Sequence, residues 1–401
     1  MNIFELIVNL LLWLLLAYLA ASGIYVFVFA LAGLFRRKQT YLGGNFRRIA
    51  VMIPSYKEDE VIVDVALKAT QQLYPKASYD VVVIADSLKK QTLNSLSALP
   101  VNLIQVSFEK STKAKALNNA LNQIETTYDI ALVLDADNIM EADFLRKINS
   151  AFGNGSKVVQ GKRVAKNNNT SFAVLDGISE AINNHIFRQG HRALGLSSGL
   201  IGSGMAFDYH LFKNLMKEIH AVGGFDKELE FRLFQAGHKI EYLKEAQVYD
   251  EKIQSAGDFN KQRRRWLSTN QVYFKKFLLP GLRAFFFKGN LDIMDKLLQM
   301  IIPPRVLLLG AVGVLSVFWA LLDVLDIRLD WMLPLVYWYL LALITILTFA
   351  ISIPRSYYNK TTLRACISLP RAFAIMFLLL FRLKGANKEF IHTRHHVATK
   401  S

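Results

Sequence analysis

The chain has 401 residues, 52% of them hydrophobic, with a mean hydropathy of +0.24 and a formal charge of +16. So apolar a balance excludes an ordinary soluble protein of this length and points to membrane segments beside a globular domain. The lone cysteine, Cys366, excludes an intrachain disulfide framework and a cysteine-based zinc site, which fits a reducing cytosolic face. The positive charge suits an anionic membrane surface or an anionic substrate; without a zinc finger or a basic–aromatic RNA signature, nucleic acid is not expected as a partner.

Residues 6–35 carry no charge. A span needs roughly 20 apolar residues, so this stretch can cross a bilayer with some tilt. It is too long for a signal-peptide core, lacks a basic n-region and shows no small-residue cleavage site. Arg36, Arg37 and Lys38 follow at once, which places the N-terminus outside and the next segment in the cytosol. Residues 1–38 are therefore read as a transmembrane helix with a basic flank. Residues 39–280 have the composition of a soluble α/β domain. Strands are expected at 48–54, 79–86, 101–106 and 130–135, with shorter ones at 156–163 and 237–248. Helices are expected at 58–73, 89–99 and 114–124. This alternation predicts a mostly parallel sheet with right-handed crossovers.

Residues 281–305 form an amphipathic segment, with Asp292, Asp295 and Lys296 among apolar residues, expected at the membrane interface. Within residues 306–354, the stretches 306–322 and 331–354 are charge-free and predict two spans. The loop between them holds Asp323, Asp326, Arg328 and Asp330 and is expected outside. Residues 355–401 are read as an interfacial helix and a basic cytosolic tail. The apolar stretch at 372–381 is too short to cross, so an interfacial or re-entrant helix is expected, a full span being the alternative. The tail histidines His392, His395 and His396 have no carboxylate spaced with them, so a solvated or headgroup-facing tail is expected rather than a metal site.

The residues that can carry chemistry lie between these flanks. Five apolar residues, 130–134, run into Asp135, Ala136 and Asp137. At the carboxyl end of a central parallel strand, two carboxylates so spaced suit a divalent cation shared with a diphosphate; an Asp-rich turn is the plain alternative. Upstream, Pro54, Ser55, Tyr56, Lys57 and Glu58 form a strand-to-helix turn whose N–H groups suit an anion or a nucleotide, if it is more than an ordinary turn. Asp86 ends the second strand and can accept from a base or ribose, or cap a helix. Lys113, at a helix start, can neutralise phosphate or face solvent. Downstream, Asp226 and Glu228 follow Gly223 and Gly224 at a helix start, as a general base or as caps. Finally, Gln262, Arg263, Arg264, Arg265 and Trp266 stand just before the membrane segments. Their arginines can hold a leaving diphosphate and the tryptophan can stack on a sugar, or the run is a juxtamembrane belt.

In this order the residues resemble the membrane-bound family 2 glycosyltransferases, the class of cellulose, chitin and hyaluronan synthases and ceramide glucosyltransferase. The nucleotide-binding Asp of that pattern looks like Asp86, its D-x-D like Asp135 and Asp137, its catalytic Asp like Asp226, and its Q-x-x-R-W like Gln262, Arg265 and Trp266. Residues 202–206 resemble the G-x-G-M-A segment of the acceptor side, through Gly204 and Met205. Two positions depart from the pattern. Lys57 replaces the Asn of I-P-A-Y-N-E, and Phe225 replaces the Glu of the E-D pair, removing a like charge that would raise the pKa of the base.

The resemblance implies an α/β fold of the GT-A type, a Rossmann-like nucleotide-diphospho-sugar transferase domain inserted between transmembrane helices. It implies a UDP-linked sugar donor held by Pro54, Tyr56, Glu58, Asp86, Lys113, Asp135, Gln262 and Arg265. Mg²⁺ or Mn²⁺ would sit on Asp137 with Asp135. Asp226 is the implied base, with Glu228 second, and Gly204, Met205 and Trp266 are on the acceptor side. The implied reaction is inverting, gives a β-linkage and takes place at the cytosolic face of the plasma membrane, on a lipid or glycan acceptor among membrane lipids. Rival readings are a processive β-glycan synthase, for which three spans are few without a homo-oligomer or accessory subunit, and a silent nucleotide- or glycan-binding subunit, against which the Asp residues stand.

Overall fold

The computed structural model describes residues 3–36, 45–327 and 333–382. Arg37, Lys38, Arg328, Asp330 and the tail histidines lie outside the described residues. Among the described residues, eight strands form one sheet: β1 (Ile49–Tyr56), β2 (Tyr79–Asp86), β3 (Asn102–Val106), β4 (Ile130–Val133), β5 (Ile139–Met140), β6 (Val158–Ala165), β7 (Met205–Asp208) and β8 (Glu241–Asp250). Their order is β3-β2-β1-β4-β7-β6-β8-β5. β1 to β4 are mutually parallel, whereas β7 runs antiparallel to both β4 and β6, and β5 antiparallel to β8. β6 and β8 are parallel to each other and run in the direction of β1 to β4, so the sheet is mostly parallel as expected, with the short β5 and β7 running against it. β5 is two residues long and β7 four, too short for an alternating pattern to announce them.

The apolar runs of β1, β2 and β4 follow from cover on both faces. Ala50, Met52, Val82, Ile84 and Val133 pack on one side with Leu117 and Leu121 of the Lys113–Gln123 helix. Their neighbours Val51, Ile53, Val81, Val83 and Leu132 pack on the other with Ile62, Phe144 and Ile148. Successive side chains of a strand point to opposite faces, so each strand serves both cores. The expected helix over 58–73 is shorter, Ile62–Ala69.

Beyond the sheet, the helix Ala256–Lys288 is capped by Ser255, whose side chain accepts from Asp258 N–H, and runs through Pro280. The Leu291–Ile301 helix buries Ile293, Leu297 and Met300 in the same core as Phe231 and Phe277, while Leu291 and Ile301 stay exposed. Its apolar stripe is thus largely occupied by protein.

Among the described residues, three helices are long and apolar enough to cross a membrane: Ile3–Leu34, Arg305–Val324 and Leu335–Ser352. The Lys360–Cys366 and Leu369–Leu379 helices, bent by 43° at their junction, would make a fourth span if they act as one. The N-terminal helix also grips the α/β domain. His185 Nε2 lies 2.8 Å from the Ala30 carbonyl, Gln189 Nε2 donates to Gly33 O at 2.6 Å, and the Tyr25 hydroxyl donates to Asp295 at 2.5 Å. Contact is closest at Gly190, where a Cβ would lie 2.1 Å from the Phe29 carbonyl oxygen. That approach needs glycine.

Candidate active site

β1, β2 and β4 end side by side. Tyr56 pairs with Asp86 across β1 and β2, and Met52 with Val133 across β1 and β4. Their carboxyl ends open on a cavity of about 890 Å³. Pro54, Tyr56 and Glu58 reach it from the end of β1, and Asp86 from the end of β2. Lys113 comes from a helix start, Asp135 and Asp137 from the turn after β4. Asp226 enters from the first turn of the Phe225–Gln235 helix, and Gln262, Arg265 and Trp266 from the long helix.

Two backbone features shape the donor end. Lys57 and Ser87 have φ of 56° and 58°, left-handed conformations that follow β1 and β2, and Lys57 N–H donates to Asp86 O at 3.2 Å. The Asn-to-Lys departure noted in the sequence falls at a position where Asn is easily accommodated and Lys is not. Asp86 is buried and accepts from Ser87 Oγ at 3.0 Å.

At the centre, Lys113 Nζ pairs with Asp135 Oδ1 and donates to Gly202 O at 2.7 Å. Asp135 N–H donates to Ser203 Oγ at 2.9 Å. The 202–204 loop is thereby tied to the D-x-D turn. The Lys113 ammonium also lies 5.2 Å from the centre of the Phe225 ring, so the residue that replaces the family's Glu gives its face to a cation. Asp137 is buried and accepts from Asn138 Nδ2 at 3.2 Å; Asn138 Nδ2 also donates to Asp250 at 3.1 Å.

Behind Asp250 stands a buried charge network. Lys252 pairs with Asp250 at 2.7 Å, Arg163 with Asp250 at 3.4 Å and with Glu180 at 2.7 Å, and Arg188 with Glu180 at 3.0 Å. Burial pushes the Glu180 and Asp250 carboxyls up, but the surrounding cations outweigh it and hold both below the usual carboxylate range. These residues line the cavity too. No motif announces them, because they come from distant elements and meet only in the fold; Asn138, beside the D-x-D, is the one with a local signal.

The three consecutive arginines turn three ways. Arg263 donates to Asp176 at 2.5 Å and lies 4.4 Å over the Trp266 ring. Arg264 Nε donates to Arg382 O at 3.0 Å. Arg265 faces the cavity; burial lowers its pKa, while Asp135 and Asp226 oppose that shift. Gln262 Oε1 is a buried acceptor with no hydrogen-bond partner among the described residues.

Three sequence expectations are corrected. Glu228 is buried outside the cavity and accepts from Lys276 at 2.7 Å and from Arg232 at 3.2 Å, so it is not placed to act as a base. Met205 is fully buried in the core on β7 and does not line the cavity. Gly204, at φ 62°, lies against Val248, and Gly202 takes its place on the cavity wall. As for a metal, no group of three or more His, Cys, Asp or Glu residues is gathered among the described residues. Asp135 and Asp137 offer hard carboxylate oxygens that fit Mg²⁺ or Mn²⁺ if phosphate oxygens and water complete the shell.

A family model described as "Glycosyltransferase like family 2" matches residues 47–269. The chain belongs to glycosyltransferase family 2. Among curated relatives of this family 2 glycosyltransferase, the probable glycosyltransferase YdaM of Bacillus subtilis (strain 168) is 28% identical over 251 residues. The match covers 60% of this chain and 58% of YdaM, so less than two thirds of that relative is spanned. Among solved structures, the mannosyltransferase PcManGT from Pyrobaculum calidifontis, in complex with GDP-Man and Mn²⁺, superposes with a TM-score of 0.54 at 16% identity. It covers 88% of this chain and 99% of its own. S. aureus TarS 1–349 in complex with UDP-GlcNAc gives a TM-score of 0.38 at 17% identity, over 64% of this chain and 82% of its own. The fold is the GT-A arrangement expected from the sequence.

Proposed function

We propose that this glycosyltransferase moves a sugar from a UDP-linked donor to a hydroxyl of a lipid or glycan acceptor, with inversion to a β-linkage. The observation that carries this reading is the convergence of Asp86, Asp135, Asp137, Asp226 and Arg265 on one cavity at the carboxyl ends of β2 and β4. Residues 39–280 would be the catalytic domain, on the cytosolic face of the plasma membrane, between the N-terminal helix and the later spans. Basic Arg36, Arg37 and Lys38 after the first helix support that orientation.

Asp86 and the turn at 54–58 would hold the nucleoside end, and Lys113 and Arg265 would offset diphosphate charge. A divalent cation on Asp137 and Asp135 would supply further positive charge to the leaving diphosphate. Asp226 takes the proton of the acceptor hydroxyl as that oxygen bonds to the anomeric carbon. The bond from that carbon to the diphosphate breaks, and the electron pair leaves with the nucleotide. Attack from the face opposite the leaving group inverts the centre without a covalent enzyme intermediate, in contrast to the retaining route. Trp266 offers an aromatic face for an acceptor sugar. A GDP-linked donor is the second reading, favoured by the GDP-Man and Mn²⁺ of PcManGT.

Nucleotide release from a panel of UDP- and GDP-sugars, with membranes and with or without Mn²⁺, tests the proposal. Metal-dependent release with one donor is expected, and sizing of the product separates single transfer from polymer. Asp226→Asn should abolish transfer to acceptor while leaving donor affinity within about twofold, as expected when a group acts mainly in the transition state. Normal turnover by that variant would remove Asp226 as the base.

A further inference from the structure

The helix that presents Asp226 also presents a cation beside it. Lys227 lines the same cavity and is partly buried. Its surroundings set it apart from five other cavity cations. Lys113, Arg163, Arg188, Lys252 and Lys296 each hold a carboxylate partner. The Lys227 ammonium makes no ion pair or hydrogen bond with any described residue, although the backbone N–H donates to Gly224 O at 3.0 Å. Of the two carboxylates that act on it, Glu230 is committed to Lys296 at 2.7 Å and to Leu200 N–H at 3.3 Å. Burial and the Lys296 ammonium hold Lys227 below the usual lysine range, against the pull of Asp226 and Glu230. A cation that is enclosed and incompletely compensated is costly unless something brings an opposite charge.

The residue on the other side of Asp226 points the same way. Phe225 stands where the family pattern has Glu, so a carboxylate that would repel an anion beside the base is missing. The start of the Phe225–Gln235 helix adds the positive end of its dipole to the field.

We infer that the acceptor carries an anionic oxyacid group, a phosphate or a carboxylate, next to the attacking hydroxyl, and that Lys227 is the residue that selects it. The inference rests on Asp226 as the base of the proposed reaction. Lys227 is one residue from Asp226 and reaches the same space from the same turn, so an anion held by its ammonium group lies beside the oxygen that Asp226 deprotonates.

The full chain in a maltoside detergent, with UDP present, is titrated calorimetrically with three probes of one chain length: dodecyl phosphate, dodecyl glucuronide and neutral dodecyl glucoside. The anionic probes should bind about tenfold tighter than the glucoside, the worth of one charge-assisted hydrogen bond. Lys227→Gln should erase that preference, Lys227→Arg should keep most of it, and Lys217→Gln, at an exposed position, should leave it unchanged. Tighter binding of the phosphate than the glucuronide identifies a lipid phosphate, and the reverse an acidic sugar. Equal binding of all three probes, or a preference that survives Lys227→Gln, overturns the inference. Metal-dependent nucleotide release on the same preparation reports separately on the donor site. Its absence counts against the proposed reaction, whereas its presence without anion preference counts against Lys227 alone.

Discussion

Lys57 and Glu228 show how much rests on single backbone and helix positions. Lys57 adopts φ 56° at the tip of β1, and its ammonium lies 5.0 Å from the centre of the Tyr56 ring. A left-handed residue other than Gly or Asn costs about 1 kcal/mol or more, while an exposed cation–π contact returns about 0.5–1 kcal/mol. Lys57→Asn should therefore stay within about 0.5 kcal/mol of the parent, since relief of strain offsets loss of the contact. Lys57→Val, β-branched, should lose about 1–2 kcal/mol. Thermal unfolding of the two variants checks the difference. Glu228 and Asp226 are both acidic and both near a helix start, which is all that the sequence offers. Two positions along a helix are about 200° apart; here Asp226 faces the cavity, while Glu228 turns to Arg232 and Lys276.

At the scale of elements, the turn after β4 is held by its neighbour strand. Asn138 is fully buried and spans from Asp137 to Asp250, the last residue of β8. Partners that orient a metal-binding carboxylate are worth about 10–100-fold in metal affinity. Asn138→Ala should weaken Mn²⁺ binding in the presence of UDP by at least about tenfold, read by electron paramagnetic resonance. Unchanged Mn²⁺ binding would mean that Asp137 needs no such support. The Ala256–Lys288 helix makes a similar point. Its three consecutive arginines read as one basic run, but helical geometry sends one to Asp176, one to the C-terminal segment and one to the cavity.

Across the whole molecule, the charge network joins the sheet to the helices beneath it. Glu180 belongs to the Ser171–Asn183 helix and pairs with Arg163 of β6 and with Arg188. Arg305, at the head of the second candidate span, donates to Ser179 Oγ at 3.0 Å on the same helix. Removing one partner of a buried ion network costs about 3–5 kcal/mol, so Glu180→Gln should lower the melting temperature strongly at neutral pH. The pH dependence follows from the depressed pKa of Glu180. Its stabilisation is fully present above the unfolded value of about 4.3 and is lost as pH falls toward the lower folded value. The gap in melting temperature between parent and Glu180→Gln should therefore narrow progressively below about pH 4.3. A gap that stays constant with pH would show that the carboxylate charge is not what stabilises the junction.

The sequence by itself determined what depends on local chemistry. Charge-free runs long enough to cross a bilayer became the helices Ile3–Leu34, Arg305–Val324 and Leu335–Ser352. The apolar run before Asp135 became β4, and the order of Asp86, Asp135, Asp137, Asp226 and the Q-x-x-R-W residues named the family. These features are legible because burial imposes apolar runs and because reactive groups sit at strand ends and helix starts. Only the tertiary structure decided the rest. β7 enters antiparallel between β4 and β6, a pairing between segments far apart in the chain with no local signature. The stripe of Leu291–Ile301 meets protein at Ile293 and Leu297, which no hydrophobic pattern can tell from a stripe that meets lipid. Arg163, Glu180, Arg188, Lys252 and Lys227 reach the cavity because packing sets which way each element turns, and a charged residue in the sequence carries no mark of where its partner lies.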